Sequence, residues 1–191
     1  MITRGCTVVA TSRNLESMEQ LRGSSASFLA MDVTDEASIQ AALDKAISLH
    51  GRVDLLVNNA GCAAFGPVME MDLKVFKDVF EVNLMGVVAV SKAVTPHMLK
   101  QGGGRIVNIG SIAAWQCVPF TAPYSASKAA LESLSQAMRL ELKPFGIHVL
   151  HVAPGFIRSS LGNKIRGGMV YEGSMFKDIP AAVEKMDFLG D

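Results

Sequence analysis

Ser111, Tyr124 and Lys128 place a hydroxyl, a phenol and an amine within one short segment, Ser111-Ile-Ala-Ala-Trp-Gln-Cys-Val-Pro-Phe-Thr-Ala-Pro-Tyr124-Ser-Ala-Ser-Lys128. Tyr124 and Lys128 open a helical pattern, and residues four apart share a helix face, so phenol and amine are neighbours there. A phenol ionises near pH ~10, and proton transfer at neutral pH asks for a depression of about 3 pH units, or about 4 kcal/mol. An ammonium held about 4 Å away supplies roughly that much at an effective dielectric of about 20. With Ser111 holding the oxygen that receives the proton, the three groups suit protonation of a carbonyl oxygen or deprotonation of an alcohol. By itself a Tyr-x-x-x-Lys spacing is weakly specific, and a serine thirteen residues earlier adds little.

The elements that must position these groups read clearly. Apolar, β-branched runs at Cys6–Thr11, Phe28–Met31, Val53–Val57, Arg105–Ile109 and Ile147–Val152 predict five buried strands. Between them lie a short helix over Leu15–Arg22, a helix from about Asp35 to His50 capped by Thr34, a long helix over 72–100, and one over 124–143 stopped by Pro144 and Gly146. Strand and helix alternate, which predicts an α/β fold, a doubly wound parallel sheet with helices on both faces. Ligands of such sheets bind beyond the carboxyl ends of the strands, and the candidate residues lie at those ends.

Length suits a single domain, with 1–160 as its core and 161–191, irregular and glycine-rich, as a partial substrate lobe or lid. Eighteen basic residues balance eighteen acidic ones, and no basic stripe points to nucleic acid. Three widely spaced cysteines and four scattered histidines argue against a disulfide framework and against a metal site. They fit a reducing compartment. No apolar run reaches the ~20 residues of a membrane span, and the first residues do not form a signal peptide.

Further motifs accompany the Ser, Tyr and Lys: Asn58-Asn59-Ala60-Gly61, Asn83 within Asn-Leu-Met-Gly, and Pro154-Gly155. In this order and spacing they resemble the short-chain dehydrogenase/reductases, from about residue 5 to about residue 160. The resemblance implies a Rossmann-like fold and hydride transfer between a nicotinamide cofactor and a carbonyl or secondary alcohol. It makes Asn83, Ser111, Tyr124 and Lys128 the catalytic set, with Lys128 also bonding the nicotinamide ribose. Asn83 stands mid-helix, an unfavourable place by propensity. A local irregularity there would free a backbone carbonyl for a proton relay, with a buried structural asparagine as the alternative. Asn59, Ala60 and Gly61 would line the cofactor, while a plain strand-to-loop turn, in which Asn58 and Asn59 are at home, is the ordinary reading.

Pro154, Gly155 and Ile157 would border the nicotinamide, with Ser159 near its carboxamide. Ser12 and Arg13, just past the first strand, favour a 2′-phosphate and hence NADP(H), unless Arg13 is simply an exposed arginine. Asp32 and Val33 match the adenine-contacting pair, though an Asp after a strand is also a common turn residue. Trp115 and Phe156 would wall a lipophilic substrate, although Phe156 taken alone reads first as core packing. That choice follows likeness to the branch holding acyl-dihydroxyacetone-phosphate, retinol and hydroxysteroid reductases. The two long helices match the family's dimer face, so a homo-oligomer is expected, in the cytoplasm or at a lipid-droplet or endoplasmic-reticulum surface.

One departure stands out. The family's opening strand, glycine-rich Thr-Gly-x-x-x-Gly-x-Gly turn and helix have no counterpart, and Gly102-Gly-Gly104 precedes a strand instead. In the family's strand order the absent strand lies between the first and third strands read here, so two backbone edges should stay unpaired. The alternative to an enzyme is therefore a non-catalytic remnant that dimerises or binds partners.

Overall fold

The computed structural model describes residues 2–21, 24–155, 157, 165–166 and 173–177. The strands are β1 (Val9–Ser12), β2 (Ser27–Ala30), β3 (Leu55–Asn58), β4 (Ala63–Ala64), β5 (Gly104–Ile109), β6 (Ile147–Val152) and β7 (Ile165–Arg166). The α-helices are α1 (Glu36–His50), α2 (Leu73–Phe80), α3 (Gly86–Lys100) and α4 (Ala122–Leu142). All strand pairings among the described residues are parallel, as alternating strands and helices require. The architecture is Rossmann-like α/β.

The main sheet has the order β3-β5-β6, and β1-β2 forms a separate pair. Among the described residues nothing pairs β1 with β3, so the two unpaired edges expected from the sequence coincide with this break. Burial alternates along each strand of the main sheet. Ile106, Ile147 and Val149 are buried against Ile39 and Leu43 of α1 and Val90, Val94 and Met98 of α3, with Met138 and Leu142 of α4 packed on the same cluster. The alternate positions Leu55, Val57, Leu150 and Val152 are exposed. Helices were expected on both faces; those described cover one face of the three-stranded sheet.

The predicted helix over 72–100 is one continuous rod with a flaw. Between α2 and α3 a π-turn runs Glu81–Met85 and carries Asn83, the irregularity anticipated there. Two local expectations are corrected. Asp35, not Thr34, caps α1, its side chain accepting from the Ala37 N–H, because the helix begins at Glu36 and Asp35 stands at its cap position. Asn58 is no turn residue. It ends β3, is buried, and its amide donates to Ser91 Oγ and Asn108 Oδ1, while Asn108 donates to Ser135 Oγ. That network ties β3 and β5 to α3 and α4. Residues 161–191, read as lobe or lid, lie mostly outside the described residues. Within them Ile165 and Arg166 pair with Ala63 and Ala64, and Glu70 accepts from the Ser174 hydroxyl and the Met175 N–H.

Candidate active site

Ser111 follows β5 and turns the chain into a short 3-10 helix, its hydroxyl oxygen accepting from the Ala113 N–H at 3.1 Å. That helix packs against α4. Pro154 and Gly155, just past β6, close on the same turn. The Pro154 carbonyl accepts from the Ile112 N–H at 3.0 Å, and a Cβ on Gly155 would stand 3.8 Å from the Ile112 side chain. Tyr124 and Lys128 occupy the first turns of α4, whose entry carries Pro123 at a position that needs no N–H partner.

Lys128 is buried at 5% exposure. Its ammonium donates to the Ile109 carbonyl at 2.8 Å and lies 5.7 Å from the Tyr124 ring centre. Burial pulls its pKa down to about 8, opposed by the Cys62 thiol nearby. The amine thus stays charged at neutral pH and loses its charge near pH 8. The Tyr124 hydroxyl has no hydrogen bond among the described residues, and one bond leaves two of the three Lys128 N–H groups unspent.

Asn83 completes the group. It is fully buried. Its oxygen accepts from the Cys62 N–H, and its amide donates to the Cys62 carbonyl and to Ser127 Oγ, each at 2.9 Å. The side chain is therefore fully engaged in structural bonds, and the relay reading concerns its backbone carbonyl. Gly61 sits between these groups. A Cβ there would meet Asn83 Oδ1 at 3.4 Å and Lys128 Nζ at 3.9 Å. Residues from the ends of β3, β5 and β6, the π-turn and α4 thus converge on one place.

A second group lies at the ends of β1 and β2. Arg13 is 4.0 Å from Asp32 Oδ2, its side chain 62% exposed. Asp32 Oδ1 accepts from the Thr34 N–H and hydroxyl, and these bonds hold its carboxyl below the usual range, with burial opposing them and Arg13 adding a lesser pull in the same direction. Asp32 is a turn residue in this structure, with one oxygen left toward Arg13. Ser12 Oγ is engaged with Ser17 Oγ at 2.8 Å. Val33 packs so tightly on Gly86 that a Cβ there would lie 2.8 Å from it. With Ala60 it also lines a small cavity beside Asn58 and Gly86. The Asn59 carbonyl lies 4.0 Å from the Gly61 position.

Trp115 is 61% exposed and meets the His151 ring edge-on at 6.4 Å. Ile157 is exposed, and Phe156 and Ser159 lie outside the described residues. Two residues escaped the sequence reading. Ser127 is fully buried between Asn83 and Tyr124. The His151 ring nitrogen is buried without a partner among the described residues and presses on the Gly110 position. Only the odd polarity of a His in an apolar strand signalled the latter.

The short chain dehydrogenase profile matches residues 1–169. The chain is 41% identical over 168 residues to an uncharacterised oxidoreductase, YusZ, of Bacillus subtilis, which spans 84% of this chain and 60% of that protein. It is 35% identical over 166 residues to an NADPH-dependent 1-acyldihydroxyacetone phosphate reductase of Schizosaccharomyces pombe, covering 86% of this chain and 56% of that one. A gluconate 5-dehydrogenase from Burkholderia cenocepacia, solved with NADP and tartrate, superposes with a TM-score of 0.78 at 32% identity, over 84% of this chain and 66% of that structure. The chain spans less than two thirds of each of these proteins.

Proposed function

The chain belongs to the short-chain dehydrogenase family, and we propose that it carries the reacting half of an NADP(H)-dependent carbonyl reductase or secondary-alcohol dehydrogenase acting on a lipophilic substrate. The observation that carries this reading is the buried Lys128 ammonium beside the Tyr124 ring, at a point where Gly61 allows close approach. In this reading Tyr124 gives its phenolic proton to the substrate oxygen, or takes one from an alcohol. Ser111 holds that oxygen through its hydroxyl hydrogen. Lys128 stabilises the phenolate and spends its remaining N–H groups on a ribose hydroxyl. Asn83 anchors the assembly. The hydride comes from a nicotinamide cofactor.

The residues fit two ends of such a dinucleotide. Gly61, Ala60, Asn59, Pro154, Gly155 and Ile157, with Ser159, would surround the nicotinamide half. Arg13 is exposed enough to reach a 2′-phosphate, with Ser12, Asp32 and Val33 at the adenine side. No glycine-rich turn opening a helix is present among the described residues to hold the pyrophosphate, since Gly104 begins β5. The lipophilic substrate rests on exposed Trp115 and Ile157, with Phe156, and on the acyl substrate named for the fission-yeast relative. Residues 1–191 would be one domain, with 161–191 contributing to the substrate side. Dimerisation through helices 72–100 and 124–143 and a location in the cytoplasm or at a lipid surface belong to the same proposal. No described helix is long and apolar enough to cross a membrane.

Fluorescence titration with NADPH and NADH tests the cofactor reading. Weak binding is expected, tighter for NADPH, with Arg13→Ala erasing the preference. Equal affinity for both cofactors in the unaltered chain would overturn the role of Arg13. The break between β1 and β3 favours a second reading, a non-catalytic protein that pairs through its helices. Absence of any response to either cofactor would select it.

A further inference from the structure

The hydrogen-bond chain that begins at Cys62 continues past Asn83. The Asn83 amide donates to Ser127 Oγ at 2.9 Å, and the Ser127 hydroxyl donates to the Tyr124 carbonyl at 2.7 Å. Every direction in this chain is forced. The Asn83 oxygen faces the Cys62 N–H, so its NH2 group must face Ser127. A flipped amide would set donor against donor at Cys62. Ser127 therefore accepts from Asn83 and has a single proton left, which goes to Tyr124. Asn83 and Ser127 are fully buried, so water cannot stand in for either bond.

We propose that Ser127 is a positioning residue for the Tyr124–Lys128 turn, coupling the π-turn to the start of α4 and fixing the rotation at which α4 presents the phenol and the amine. The proposal rests on the reading of Tyr124 and Lys128 as the reacting pair. Ser127 stands three residues after Tyr124 and one before Lys128. A hydroxyl bonded back to the carbonyl three residues earlier tilts the local helical turn. Here the same hydroxyl is held from the other side by Asn83, which is itself locked to the loop after β3. Three segments distant in sequence, Cys62, Asn83 and Ser127, thus meet in one bond set. The placement of Lys128 against the Ile109 carbonyl depends on that helix orientation. If the bonds are lost, the first turn of α4 loosens, water reaches the amine, and Lys128 should ionise at a higher pH.

Three variants of the full chain test this. Ser127→Ala removes the hydroxyl. Ser127→Cys fills the site, with slightly more volume, while hydrogen-bonding only weakly, and Ser127→Thr keeps the hydroxyl. The readout is the pH midpoint of the Lys128 side-chain amine followed by 15N NMR, assigned with Lys128→Met and requiring no enzymatic activity. The Ala and Cys variants should move that midpoint upward by half a pH unit or more (roughly a threefold change in the ionisation constant). Thr should return most of it. Where turnover is measurable, kcat should fall about tenfold with KM little changed. A lowered melting temperature with an unmoved Lys128 midpoint would overturn the proposal and leave Ser127 a packing residue. So would a Cys variant that fails to fold, or a folded Thr variant that behaves like Ala. If the midpoint moves while the unaltered chain shows no turnover, the positioning role stands and the reductase reading fails.

Discussion

Replacing Lys128 with methionine should make the protein less pH-dependent in its stability. The amine is 5% exposed, and its pKa falls from 10.5 to about 8, chiefly because burial disfavours the charged form. Each pH unit of that drop corresponds to about 1.4 kcal/mol. Holding the charged amine in place at pH 7 therefore costs about 3 kcal/mol relative to the unfolded chain, a large share of a typical margin of about 5–15 kcal/mol. The sign follows from linkage. Above pH 10.5 the group is neutral in both states and the penalty is absent. It grows as pH falls from 10.5 to about 8 and is constant below that. Between pH 7 and pH 10 the unaltered protein should thus recover roughly 2–3 kcal/mol that Lys128→Met does not. At pH 7 the variant gains up to about 3 kcal/mol and gives back about 1–3 for the Ile109 carbonyl left without its donor. The net effect there is near zero or mildly stabilising, an unusual result for a buried site. Urea unfolding of both proteins at pH 7 and pH 10 measures the double difference, in which titrating groups remote from Lys128 cancel, leaving Lys128 and its couplings to Cys62 and His151. Parallel stabilities at the two pH values would refute the argument and mean that the amine is solvated in the folded protein.

Three further outcomes are expected. Tyr124→Phe should lower kcat for carbonyl reduction by about 10²-fold or more while leaving NADPH affinity within about twofold; full activity in steady-state assays would end the proton-donor role. His151 has its pKa lowered from 6.5, by burial first and then by Lys128, with Glu132 opposing. Its contribution to stability is therefore complete above pH 6.5 and is lost as pH falls through the lowered folded value. Thermal melts at pH 7.5 and 5 should show a smaller acid-side drop for His151→Leu. Hydrogen exchange should find the amides of β5, paired on both sides by β3 and β6, slower than those of β1, which pairs only with β2. Equal protection would mean that the break between the two sheets is closed in solution.

Much of the fold was written locally. β-branched runs bounded by turn residues marked the strands, and the Ile147–Val152 run became β6 with the same ends. Pro144 and Gly146 stopped the last helix as their backbone chemistry demands, Gly146 taking φ of 72°. An asparagine in the middle of a helical pattern announced a flaw, and the π-turn lies there. Tyr124 and Lys128, four apart at a helix start, were neighbours by helix geometry alone. Other features depended on partners far along the chain, which local pattern cannot name. Asn58 looked like a turn residue until Ser91 and Asn108, from α3 and β5, took its amide. Ser127 was one serine among many until Asn83 reached it across 44 positions. Asp32 has one oxygen tied to Thr34 and the other turned toward Arg13, an arrangement its place after a strand does not reveal. The depressed pKa of Lys128 is likewise a property of burial, since one sequence position has no dielectric of its own. Propensity and periodicity act over a few residues, whereas desolvation and side-chain hydrogen bonding act between whatever the fold brings together, and those decided which of the candidate groups are free to do chemistry.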